Sequence, residues 1–600
     1  MPGDAPFARV EAWLAARRHL VIASLFALAL LVRLVYFLQL AGGPGLHWHR
    51  FEQADTRFFH QWAQRIAAGD LLQREPLHPF FDWHLDVARE LFRQRPEALR
   101  TLAGPDDTPP ASEEDAARRL WDRWYGGATF HQEPLYPYLV GLTYRLFGPD
   151  PRFVFAWQMV LGVLAVLLVF GIARRMFGEL CGAVAGVLAA LCGPVFYYEC
   201  LLLRDSVIVF WGLLLVWLWL LALERERPWL WALGGVAGGM AVLLKSTFAL
   251  LLAAMLAWLL VRRRREPRAL LRALLPAVLG FVLALAPAVS RNVAVGAPPF
   301  AFASVGTVTF VAANTADAPA GEGFFVSPAH LARILWESEG RFLPALGLTV
   351  GTHSNVLRWL GLLVAKLAYS FHWYEIPVNT DFYVFRTYAP ILRLPVVFGL
   401  LGPLALLGMA VFFRRGIHRF WPLLALALVH LLAMLVMHPC SRYRAPMTAA
   451  LVPFAAAALV WLAGLARAGR LRCLVAALGA LLALLLAVNL PSAERMRVPR
   501  PAYLAQPHLF FTAPRADRLA AAGDLRGAAM LVEESLAWEK VFLPADLAPA
   551  PSPEAARLSY VAAAIHEECA ARFLLAGVVA RAGLHLVRAG ELFAHRARAI

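Results

Sequence analysis

Eleven stretches of this chain are apolar over a length that approaches or reaches a bilayer crossing: 20–40, 153–172, 180–197, 201–223, 229–244, 247–261, 269–289, 391–412, 420–437, 446–465 and 473–490. A spanning helix needs about 20 apolar residues, and in hydrocarbon a helix satisfies its own backbone polar groups. With 60% hydrophobic and only 16% charged residues among 600, the chain has more apolar surface than a water-soluble core can hide. The expected fold class is an all-α polytopic membrane protein with about 11 transmembrane helices.

Net charge is +16, which in a soluble protein would point to nucleic acid. Here the basic residues cluster between apolar runs, so topology accounts for them and no nucleic-acid partner is expected. Arg17 and Arg18 precede the first run and place the N-terminus in the cytoplasm. Arg174 and Arg175, "ERER" (224–227), "RRRR" (262–265), "RRGIHR" (414–419) and "RAGRLR" (467–472) then fall on that same side, and the C-terminus is expected outside. The first run is too long for a signal peptide, lacks its small-residue cleavage site, and reads as an anchor. Six cysteines without the spacing of a disulfide framework or zinc site read as reduced or inert.

Two long outer segments interrupt the apolar pattern, at about 41–152 and 290–390, and the first is too long for a connector. Within the second, "NVLRWLGLLVAKLAYS" (355–370) carries polar positions among apolar ones. Counting it as a span would invert every later basic loop, so it is expected to lie in the outer interface. Residues 1–490 form the expected membrane domain. Residues 491–600 turn polar and Ala-rich, and "RADRLAAAGDLRGAAMLVEESLAW" predicts a helical hairpin with a Gly-Asp turn, like one tetratricopeptide unit.

Ionisable residues near a bilayer are costly, and outer cations oppose the topology bias, so residues that break both tendencies mark a candidate site. They gather on the outer side: Glu52 and Asp55, His131 and Glu133, Glu199, Arg204 and Asp205, Lys245, Arg291, and Arg442 with Arg444. Carboxylates beside several cations suit a lipid-linked phosphate donor and a hydroxyl acceptor. A carboxylate takes the proton of an attacking hydroxyl. Arg or Lys then stabilises the departing phosphate.

Each residue also has a plainer role. Asp55 stands where an N-cap belongs, because Phe59, Trp62 and Ile66 recur on one helical face behind it. His47 and His49 in "HWHR" fit interfacial residues better than metal ligands. His131 and Glu133 can line a turn fixed by Pro134 and Pro137, and Arg204 can pair with Asp205. Lys245, Arg442 and Arg444 can snorkel to headgroups. The shared placement carries more weight than any one residue.

The order of motifs resembles the GT-C class of membrane glycosyltransferases, in the bacterial branch similar to protein O-mannosyltransferases and lipid A aminoarabinose transferase. "ADTRFFHQWAQRIAAGD" (54–70), "PLYPYLVGLTYRLFGPD" (134–150), "FYYECLLLRDS" (196–206), "RNVAVG" (291–296), "WYEIPVNTDFYVFR" (373–386) and "RYRAP" (442–446) carry the likeness. It implies a GT-C fold and an inverting sugar transfer from a polyprenyl-phosphate donor, on the outer face of a bacterial inner membrane. It also implies that Asp55 is the catalytic acid of loop one, assisted by His131 or Glu133, with Lys245, Arg291, Arg442 and Arg444 on the donor phosphate. Glu52, Arg204, Asp205 and Asn314, the last in a worn Gly- and Asn-rich loop (305–321), become acceptor or accessory groups. The implied partners are the lipid-linked sugar, membrane lipids, and a protein, lipid or polysaccharide acceptor. No cofactor is assigned, and relatives differ over whether a divalent metal ion assists. A transporter or lipid flippase, and an inactive scaffold, are the competing classes; a transporter should show midplane charges and two related halves.

Overall fold

The computed structural model describes residues 7–102, 109–413, 416, 420–490, 500–543 and 553–597. Among them no strand occurs, and every apolar run of the sequence contains a helix. The all-α class follows, and the protein is a multi-pass membrane protein. Helix length alone supports fewer than eleven crossings. Among the described residues, six helices are long and apolar enough: α1 (Arg18–Ala41), α6 (Pro151–Phe177), α8 (Asp205–Arg225), α11 (Pro267–Ala294), α18 (Ser441–Arg467) and α19 (Leu471–Asn489). A seventh is a pair bent by 58°, α7 (Glu179–Leu191) followed by 193–200. The rest are short: α9 (Pro228–Leu244), α10 (Phe248–Arg262), α16 (Phe398–Phe412) and α17 (Trp421–Val436). Of the basic loops, "RRGIHR" lies outside the described residues apart from Gly416.

The chain divides into two compact units, Met1–Arg33 with Phe58–Val378 and Leu394–Leu490, and Leu34–Arg57 with Asn379–Arg393 and Pro491–Ile600. In the first unit, small residues let helices approach closely. A Cβ on Gly235 of α9 would lie 1.9 Å from the Ala277 carbonyl oxygen of α11, and one on Gly280 would lie 2.2 Å from that of Ala232. The two backbones therefore touch, as small residues permit in membranes. Leu279 and Leu283 of α11 and Val475 of α19 stay largely exposed, as lipid-facing positions should. Inside the bundle, Arg33 of α1 grips Glu199 with two bonds of 3.1 and 3.0 Å. Glu199 itself lies in the short helical turn Tyr197–Cys200, and its partner comes from the first apolar run.

The two long segments between apolar runs are helical in this unit and share a core. They contain α3 (Asp82–Gln94), α4 (Glu113–Trp124), α5 (Leu135–Phe147), α12 (Gly306–Asn314) and α13 (Pro328–Ser338). Val87, Leu91, Leu120 and Trp121 of loop one pack with Val311, Leu331 and Leu335 of loop two. Helix α4 begins where Ser112 accepts from the Asp115 N–H at 3.1 Å, with three acids in its first turn to meet the helix dipole. Helix α14 (Val356–Ser370) is capped by Asn355, and its Lys366 is buried.

In the second unit, helix α2 (Asp55–Ala67) begins and α15 (Phe382–Tyr388) is contained whole. The expected hairpin is present as α20 (Ala513–Ala521) and α21 (Leu525–Glu534). Gly523 turns with φ +89°, and Asp524 caps α21 through the Gly527 N–H. Helices α22 (Pro553–Leu575) and α23 (Val579–Ala597) follow and pack on each other.

Candidate functional site

Within the first unit, four breaks in helical structure bring charged side chains together. Glu133 sits just before α5, Arg204 and Asp205 open α8, Lys245 ends α9, and Arg442 lies in the first turn of α18. Arg204 and Asp205, neighbours in sequence, do not pair with each other. Arg204 binds Glu133 and also donates to the Leu244 carbonyl at 3.2 Å. Arg442 binds Asp205 at 3.0 Å. Both pairs are buried.

Glu133 is engaged on both oxygens, because Oε1 accepts from the Ser246 N–H at 2.6 Å. Burial alone would raise its pKa, but Arg204, Lys245 and that N–H outweigh burial and pull it down to about 2. It is therefore a firm anion and a weak base at neutral pH. His131 is buried beside it, its pKa pushed well below the ordinary histidine value by burial, then by His78 and Arg204. Its ring meets Tyr125 edge-on at 4.6 Å and Phe58 at 5.4 Å, and its Nδ1 has no hydrogen-bond partner.

Lys245 differs from the two arginines. It extends its ammonium over the Tyr443 ring, 4.7 Å from the centroid, and that ammonium forms no hydrogen bond or ion pair with another described residue. Three cations, Lys245, Arg204 and Arg442, thus face two carboxylates, Glu133 and Asp205, which leaves one positive charge in excess. Such a cluster attracts an anion.

The remaining expected groups lie elsewhere. Arg291 donates to the carbonyls of Leu72, Gln73 and Ala128 at 2.6 to 2.7 Å and covers the Phe130 ring. Arg444 pairs with Glu375 at 2.8 Å and donates to the carbonyls of His372 and Tyr374. Asn314 ends α12, where its Oδ1 accepts from Lys366 at 3.1 Å and its Nδ2 donates to the Val436 carbonyl at 2.7 Å. These three tie loops to helices.

In the second unit, Glu52 is exposed and Asp55 half-buried. Asp55 Oδ2 accepts from Asn379 Nδ2 at 2.8 Å, while Asn379 Oδ1 accepts from the Asp55 N–H at 3.1 Å. Sequence reasoning missed Asn379 and Glu375 as individual residues, although both lie in a motif it quoted. Among the described residues, no three His, Cys, Asp or Glu side chains converge as metal ligands would.

The stretch 131–291, which holds Glu133, Arg204, Asp205 and Lys245, decides the family likeness. It matches the dolichyl-phosphate-mannose-protein mannosyltransferase family. The resemblance read from the motifs at 134–150 and 196–206 falls inside that match. No curated protein matches the sequence. Among solved structures, the oligosaccharyltransferase of Archaeoglobus fulgidus in its apo form is 16% identical with a TM-score of 0.34, covering 68% of this chain and 54% of that one. The chain thus spans about half the length of that protein. ArnT from Cupriavidus metallidurans, bound to undecaprenyl phosphate, is 15% identical with a TM-score of 0.34, covering 90% of this chain and 75% of that one.

Proposed function

We propose that this protein is an inverting GT-C glycosyltransferase of the bacterial inner membrane, moving a sugar from a polyprenyl phosphate to a hydroxyl acceptor on the periplasmic side. The observation that carries the reading is the cation cluster, whose Lys245 ammonium rests on the Tyr443 ring without an ion pair, most of it inside the stretch that matches the mannosyltransferase family. In a single displacement the acceptor oxygen bonds to the sugar's anomeric carbon as the bond from that carbon to the lipid phosphate oxygen breaks. Asp55 takes the acceptor proton. Lys245, with Arg204 and Arg442, balances the charge that collects on the leaving phosphate. Glu133 serves by holding Arg204, since both its oxygens are engaged. Arg291 and Arg444 act at one remove, through the loops they fix.

The test is donor dependence. Loss of one charged hydrogen bond is worth about 1.5–3 kcal/mol, and each 1.4 kcal/mol is about tenfold. Lys245→Gln should raise the KM for a polyprenyl-phosphate sugar about tenfold or more, while Lys245→Arg keeps most of the affinity. An unchanged donor KM in Lys245→Gln would remove the phosphate role. The transporter reading draws on the Arg33–Glu199 pair, whose arginine lies within the apolar length of α1. Transport would not require Asp55, so Asp55→Asn separates the two classes.

A further inference from the structure

The motif "WYEIPVNTDFYVFR" contributes Asn379, and the geometry points to Asn379 as the positioning residue of Asp55. This rests on the reading of Asp55 as the base. Asn379 has φ +62°, the left-handed region, which asparagine tolerates better than most side chains. Its conformation is fixed from both sides. Its carbonyl accepts from Trp48 Nε1 at 2.9 Å, and two residues on, Asp381 Oδ1 caps α15 through the N–H groups of Tyr383 at 2.7 Å and Val384 at 3.1 Å.

That backbone aims the amide at the start of α2. The Asp55 N–H is a donor, so the amide oxygen must face it, at 3.1 Å. The amide nitrogen is then left facing the carboxylate, and it donates to Oδ2 at 2.8 Å. The amide thus holds the main chain and the carboxylate of one residue in a single geometry. An amide suits this task because it orients the carboxylate without carrying a charge and has no proton affinity with which to compete for the acceptor's proton. A residue that merely capped α2 would need only the oxygen acceptor. The second contact, to the carboxylate, is what a positioning role adds.

Two substitutions separate these roles. Asn379→Gly keeps the left-handed backbone and removes the amide. Asn379→Asp keeps the cap acceptor but sets a second carboxylate against Asp55. Both should fall about 10²-fold in kcat, the scale of a misplaced catalytic group, with the donor KM unchanged. Lowering the pH should partly restore Asn379→Asp, because like charges favour sharing one proton and the protonated carboxyl can again donate to Asp55. Asn379→Gly should show no such recovery. A wild-type kcat in Asn379→Gly, or an Asn379→Asp enzyme as active as wild type and flat in pH, would overturn the positioning role while Asp55→Asn remains inactive. Should Asn379→Gly fail to fold, Asn379→Asp carries the test alone. If Asp55→Asn itself transfers sugar as wild type does, the functional reading falls and this inference with it.

Discussion

Glu133 and Arg204 form a buried pair whose members arrive from different segments, and neither is comfortable alone. Removing one partner of such a pair leaves an uncompensated charge, at a cost of about 3–5 kcal/mol. Glu133→Gln should therefore lower the detergent-solubilised Tm markedly, measured by thermal unfolding. The pH dependence has a definite sign. The folded pKa lies near 2, below the ordinary 4.5, so the ionised carboxylate stabilises the fold above about pH 4.5. That stabilisation is lost as pH falls from there towards 2. A melting series should find this contribution flat above pH 5 and failing in acid, and the acid loss should disappear in Glu133→Gln. Arg444 offers the contrast. Arg444→Ala should lower Tm through the 372–375 loop and leave the donor KM unchanged, because its donors meet carbonyls and Glu375.

At the scale of helices, α9 and α11 approach so closely that Gly235 and Gly280 have no room for a side chain. Overpacking typically costs about 1–3 kcal/mol, and here the obstacle is backbone. Gly235→Leu should abolish the monodisperse peak in size-exclusion chromatography, whereas Gly234→Ala, whose Cβ meets nothing within 4 Å, should be tolerated. The apolar runs and the hairpin at 513–534 were legible because each is a local pattern. Boundaries moved where local chemistry breaks a helix. The run read as 391–412 becomes α-helical only at Phe398, after Pro390 and Pro395, and the run read as 180–197 bends after Cys192. Pairings were not legible. Arg33 is hidden in an apolar run, Asp55 and Asn379 lie 324 residues apart, and Arg442 and Asp205 lie 237 apart. A sequence displays which groups are charged, while the fold chooses the partner.

For the whole molecule, the account requires the loop-one helices outside and the basic loops inside. Five of the six cysteines are buried and Cys473 is exposed, so Cys473→Ser provides a quiet background. In it, a cysteine replacing exposed Glu97 should react with a membrane-impermeant maleimide in intact spheroplasts. One replacing exposed Arg264 should react only after permeabilisation. The reverse pattern would invert the topology and move the cation cluster to the cytoplasmic face.

The most direct measurement is sugar transfer itself. Wild type and Asp55→Asn, expressed equally in membranes, should be supplied with radiolabelled polyprenyl-phosphate sugars and followed for label on any acceptor. The account predicts transfer by wild type and loss of at least about 10²-fold in the variant, the range of general base catalysis. Equal transfer by the two would reduce Asp55 to a helix cap and contradict the account.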